Sequence, residues 1–158
     1  MNATKAWLVG LFAPAWVLAG PAAGAAIPAY LGDWTITRAV LAPWADPAHP
    51  LDPAEPARLT GKTVTFTVRA IRGPPPLACR TPHYKLVEFG ADMLFEGAFG
   101  EMRSKDRRVE PARIAASLGF PGPRTRTLET GCEIDFHFAG PTTAEFGLND
   151  HVYTIRRR

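Results

Sequence analysis

The sequence predicts an all-β protein: a mainly antiparallel β-barrel of about eight strands with one short helix, the alternative being a β-sandwich. Three observations carry this reading. Apolar and polar residues alternate over residues 32–40, 62–71 and 132–138, the period of a strand with one face buried. Glycine, proline and Asn-Asp pairs punctuate these runs at short intervals. Only one segment carries both a helix start and a helix stop.

The chain opens with MNATKAWLVGLFAPAWVLAGPAAGAA, in which Lys5 precedes an apolar stretch reaching Leu18 and a small-residue tail around Ala23, Gly24 and Ala25. This is the pattern of a cleaved export signal over residues 1–26. The apolar run of about thirteen residues is short of the roughly 20 that span a bilayer. No cysteine follows closely, which excludes a lipid anchor there. Cleavage leaves about 132 of the 158 residues, residues 27–158, as a single barrel domain. A chain of that length buries a sizeable core. The expected location is periplasmic or secreted, with no stable membrane insertion after cleavage.

Residues 32–40 open the domain as a strand, with Trp34, Ile36 and Val40 on one side and Thr35, Thr37 and Ala39 on the other. Five prolines within residues 43–56 forbid a central strand or helix interior, so this stretch reads as a long surface loop. The alternation of KTVTFTVRAI predicts one continuous strand over residues 62–71, ended by Gly73 and the stiff run Pro74, Pro75, Pro76. Residues 83–89 read as an edge or bulged strand after Pro82. MLFEGAF, residues 93–99, reads as a short strand bent at Gly97. The helix follows: Pro111 suits a first helical position, Ile114 and Leu118 share a face, and Gly119 suits the position just past the end. Strands then return at residues 126–129, 132–138, 143–148 and 151–156, with turns at Gly140-Pro141 and Asn149-Asp150.

Cys79 and Cys132 are the only cysteines. In an oxidising compartment an even pair reads as one disulfide, closing a loop of 53 residues and worth on the order of 4 kcal/mol by chain entropy. Without the leader, 17 basic residues face 15 acidic ones. The basic groups around residues 101–113 are interleaved with Glu101, Asp106 and Glu110, and only Arg156-Arg157-Arg158 is a pure basic run. Nucleic acid is therefore not an expected partner.

Gly32-x-Trp34 at the first strand, a lone helix late in the chain and Tyr153-Thr154-Ile155-Arg156 at the last strand together resemble the lipocalin and wider calycin arrangement. The resemblance covers the pattern of the whole mature chain and specific residues at its two ends. It implies that Trp34 closes one end of the barrel and that Arg156, or alternatively Arg157, lies across the indole as a cationic lid. It also implies the binding of a small molecule inside the barrel.

Catalytic constellations are sparse. Beyond the leader the only serines are Ser104 and Ser117, and neither sits in a Gly-x-Ser-x-Gly elbow, so serine-hydrolase chemistry is not expected. Neither a His-x-x-x-His nor a Cys-x-x-Cys pattern occurs, and no metal or cofactor is expected. The most chemically loaded stretch is CEIDFHF, whose alternation projects Glu133, Asp135 and His137 onto one face. The expected role of that face is the polar side of an amphipathic strand over a core of Ile134, Phe136 and Phe138, and its rival is an enzymatic or metal site.

The leading functional expectation is an exported, non-enzymatic binding protein that takes a small apolar molecule or an envelope partner. Phe66, Tyr84, Phe95, Phe136 and Phe138 are the candidate ligand contacts, and Pro74, Pro75 and Pro76 the candidate rim or partner loop. An inhibitor of an exported protease or lysozyme, using that proline run as a stiff insert, is the second reading. An enzyme built on Glu133, Asp135 and His137 is the third.

Overall fold

The computed structural model describes residues 28–46, 48 and 51–158; the predicted leader and three positions of the proline-rich loop lie outside the described residues. Eight strands form one sheet: β1 (Gly32–Leu41), β2 (Thr63–Phe66), β3 (Ile71–Arg72), β4 (Lys85–Gly90), β5 (Arg124–Glu129), β6 (Phe136–Gly140), β7 (Thr143–Leu148) and β8 (His151–Arg157). Their order is β3-β2-β1-β8-β7-β6-β5-β4, antiparallel throughout. A single curled sheet, a half-barrel, takes the place of the two-sheet sandwich. The helices are α1 (Glu55–Leu59), α2 (Leu94–Lys105) and α3 (Pro111–Ser117).

The curl can be read from one contact. The rings of Phe66 on β2 and Phe136 on β6 lie 4.8 Å apart, although four strand spacings, about 19 Å on a flat sheet, separate those strands. The inner face holds Trp34, Ile36, Val64, Phe66, Leu128, Phe136, Phe146, Tyr153 and Ile155, all buried in one cluster. The outer face carries a second cluster in which Ala42 and Val152 meet Leu94, Phe95 and Phe99 of α2, Ala115 of α3, and Phe120. Edge strands β3 and β4 do not pair with each other. The opening between them is bridged by the Tyr84 hydroxyl, which donates to Thr67 O at 3.0 Å, and by the Cys79–Cys132 disulfide.

Several local readings are corrected. Residues 62–71 are not one strand: β2 ends at Phe66, a turn follows, and β3 starts at Ile71. The Thr67 hydroxyl donates to Ala70 O at 2.9 Å and accepts from Ala70 N at 3.0 Å, giving the backbone a local alternative to the ladder. Val68 is 74% exposed at the turn. MLFEGAF is not a strand: Phe95, Glu96 and Gly97 turn left-handed, the right-handed part of α2 runs on from Ala98, and Phe95 and Phe99 are buried together against the outer face. The proline-rich loop ends in α1, with Pro56 in its first turn. The helix at Pro111 forms as expected, with proline in its first turn and Gly119 at φ +97° beyond its end.

Arg156 is not the lid of Trp34. In the β1/β8 register Arg156 lies opposite Thr35 and Arg157 opposite Trp34, so the pleat places Arg156 on the other face from the indole. Arg157 reaches back instead to the segment preceding β1, donating to Ala29 O and Leu31 O. Trp34 itself is fully buried, its Nε1 donating to Tyr30 O at 2.9 Å and its ring set edge-on to Phe66 and Phe138.

Candidate functional site

One rim of the half-barrel is organised by the β7–β8 turn. Asn149 occupies the left-handed region at φ 49°, which its short polar side chain tolerates. Its Nδ2 donates to Glu55 Oε2 at 3.0 Å, and its carbonyl accepts from Trp44 Nε1 at 3.0 Å. The other oxygen of Glu55 accepts from the Tyr153 hydroxyl at 3.1 Å. Burial, with the neighbouring Glu55 carboxylate, pushes the Tyr153 hydroxyl above its ordinary range. Both ends of the proline-rich segment therefore meet the rim: Trp44 is tied to the outer side of the turn and α1 to the inner side.

A cleft flanks each side of the turn. On the inner side, a cleft of about 440 Å³ is bounded by α1 and by the run Pro74, Pro75, Pro76. Residues 72–78 form a loop clamped at its base: Ile71 and Cys79 exchange two backbone hydrogen bonds of 2.8 Å, and Cys79 is bridged to Cys132. Leu77, just past the prolines, is buried in the core. The expected rim residues are thus brought together with α1, which was not expected to be helical.

On the outer side, a cleft of about 260 Å³ lies between the start of α2 and the turn that precedes β6. Trp44 and Phe95 form one wall, and Glu96, Glu133, Asp135 and His137 contribute the polar groups. Glu133, Asp135 and His137 do come together, but not as three residues of one strand, since β6 begins only at Phe136. The expectation of a water-facing polar side fails for His137, which is 2% exposed beneath α2. Its Nε2 accepts from Phe95 N at 3.0 Å, so the ring proton sits on Nδ1, which donates to Thr127 Oγ1 at 2.8 Å. Burial holds the imidazole down at about 4.

That hydrogen bond has a structural task. Phe95 (φ 52°), Glu96 (φ 59°) and Gly97 (φ 83°) form a left-handed run at the head of α2, which costs on the order of 1–2 kcal/mol at each non-glycine position. The neutral imidazole takes the Phe95 N–H that this run turns inward. His137 belongs to a polar row across the outer face, Thr127, His137, Glu145, Thr154 and Arg38, aligned strand by strand. Glu145 is 5% exposed; one oxygen accepts from Thr154 Oγ1 at 3.2 Å and the other has no partner. Burial raises its carboxyl to about 7, against smaller opposing effects of Thr154 and Arg38.

The aromatic ligand candidates divide between the faces. Phe66, Phe136 and Phe138 pack with Trp34 inside the half-barrel, Tyr84 spans its opening, and Phe95 lies on the outer face against His137 at 4.7 Å between ring centroids. Trp44, Glu55 and Glu145 escaped the sequence reading, which gave Asn149 only as a turn residue. A lone tryptophan inside a proline-rich loop and an acid inside an otherwise apolar strand were the available signals. Among the described residues no group of three or more His, Cys, Asp or Glu is arranged to hold a metal ion, and no helix is long and apolar enough to cross a membrane. Compared with known protein families, curated proteins and solved structures, the chain matches none of them.

Proposed function

We propose that this is an exported, non-enzymatic binding protein that engages a partner protein of the cell envelope through the inner rim cleft, with Pro74, Pro75 and Pro76 opposite α1 as the contact surface. The observation that carries the reading is the clamped loop: a proline run fixed at its base by two backbone hydrogen bonds and a disulfide, and anchored by buried Leu77. A surface ordered before binding loses little further entropy on contact. The disulfide favours an oxidising compartment. An inhibitor of an exported protease or lysozyme is the form of this proposal in which the partner is an enzyme and the proline run enters its cleft.

Two rival readings have less support. A small apolar ligand would need space on the inner face, where Trp34, Phe66, Phe136, Phe146 and Tyr153 already fill the curl with their own rings. An enzyme using Glu133, Asp135 and His137 would need a free imidazole nitrogen, and both are engaged.

Photo-crosslinking in the native compartment tests the proposal, with the reactive group placed at Pro75 or Arg58 and, as a control, at the exposed Arg108, which does not line the inner cleft. The expected result is one defined partner captured from the rim positions only, and lost when Pro74, Pro75 and Pro76 are all replaced by glycine. A stoichiometric apolar molecule extracted from the purified protein, together with unchanged capture by the glycine variant, would overturn it.

A further inference from the structure

We infer that the outer rim cleft is a binding site for an organic cation, a guanidinium or ammonium group on an apolar stem. The Trp44 and Phe95 ring centroids lie 5.1 Å apart at an interplanar angle of 43° and form an aromatic wall. That wall is held in place: Trp44 Nε1 is tied to Asn149 O, and the Phe95 backbone to His137. The β7 backbone comes against both rings at Gly147, where a Cβ would lie 3.1 Å from Trp44 and 3.2 Å from Phe95. The bare position lets the rings reach the floor of the cleft.

Charge selects the occupant. Glu96, Glu133 and Asp135 line the cleft and no lysine or arginine does. Among the described residues neither Glu96 nor Glu133 has an ion-pair or hydrogen-bonding partner, in a chain whose net formal charge is +3. The left-handed run directs Glu96 from the head of α2, while Glu133 and Asp135 stand on the turn opposite. Uncompensated carboxylates beside aromatic faces attract a cation twice over, by charge and by the ring quadrupole. The three acids do not converge on one point as ligands of a metal ion would. A volume of about 260 Å³ suits a head group or one side chain rather than a drug-sized ligand.

The site stands apart from the proline loop and is tested apart from it. The purified protein, disulfide intact, is titrated while the indole N–H resonances of Trp44 and Trp34 are followed by NMR. The probes are N-acetyl-arginine methylamide, its neutral counterpart N-acetyl-norleucine methylamide, and tetramethylammonium. The expected result is a saturable shift of the Trp44 resonance with the arginine probe, no shift of Trp34, and binding about tenfold weaker or worse for norleucine. The double variant Glu96→Gln, Glu133→Gln changes only exposed side chains, so it keeps the fold and weakens the arginine probe about fivefold or more. Tetramethylammonium binding as tightly as the arginine probe would assign the site to a free small cation, and weaker binding to a basic side chain. Equal shifts from norleucine, or none from either cation, would overturn the inference.

Discussion

Glu145 and His137 face each other across β6 and β7, and burial displaces their protonation in opposite directions. The imidazole falls from 6.5 to about 4 and the carboxyl rises from 4.5 to about 7. Each displacement corresponds to about 3 kcal/mol of stability that depends on pH. His137 contributes fully above pH 6.5, and its contribution is lost as pH falls through its folded value. Glu145 contributes fully below pH 4.5, and its contribution is lost as pH rises through about 7. The two slopes oppose each other between roughly pH 4.5 and 6.5, so their effects on the native protein nearly cancel. Glu145→Gln removes one arm, because the amide keeps an oxygen for the Thr154 hydroxyl and does not ionise. Chemical denaturation of both proteins at unit intervals from pH 4 to 8 isolates the effect as a difference curve. The gain of the variant over the native protein is expected to be near zero at pH 4 and to climb to about 3 kcal/mol by pH 8. Parallel curves across the range would refute the assignment of Glu145 as a carboxyl whose titration is raised by burial.

Gly147→Ala should lower stability by about 1–3 kcal/mol and shift the Trp44 resonances, since the new methyl presses on both rings; an unchanged melting temperature would mean that the rings yield freely. Glu96→Gly should stabilise by up to about 1 kcal/mol, because glycine adopts φ 59° without strain; thermal melting at fixed pH reads this. Cys79→Ser with Cys132→Ser should cost about 2–4 kcal/mol and expose residues 72–78 to proteolysis, which mass mapping of the first cleavage sites would reveal. Arg157→Ala should release the segment before β1 and cost about 1 kcal/mol, while Arg156→Ala should be close to neutral; the reverse order in denaturation would restore Arg156 as the residue closing the barrel.

Much of the architecture was legible because its determinants are local. The alternation around Phe146 and Tyr153 marks β7 and β8, the Asn149-Asp150 pair marks the turn between them, Pro111 and Gly119 bound a helix, and an even pair of cysteines reads as one bridge. Pro74, Pro75 and Pro76 were legible as a stiff run, but α1, which faces them across the inner cleft, was not. Where the local signal was equally compatible with two structures, tertiary contacts decided. The run KTVTFTVRAI suits one strand or a hairpin, and the Thr67 hydroxyl selects the hairpin. MLFEGAF reads locally as a strand, but an outer sheet face needing cover, with a buried imidazole to take the Phe95 N–H, selects a left-handed turn at Phe95–Gly97 leading into a helix. The site depended on such contacts almost entirely. Alternation places His137 opposite Phe136 and Phe138, but only α2 lying over that face turns a solvent-facing histidine into a buried neutral one. Trp44 and Phe95, 51 residues apart in the chain, become one wall only because the sheet carries the proline-rich loop and the head of α2 to the same rim. Period and punctuation belong to the sequence; which face is covered, and by what, is a non-local property that the folded chain alone decides.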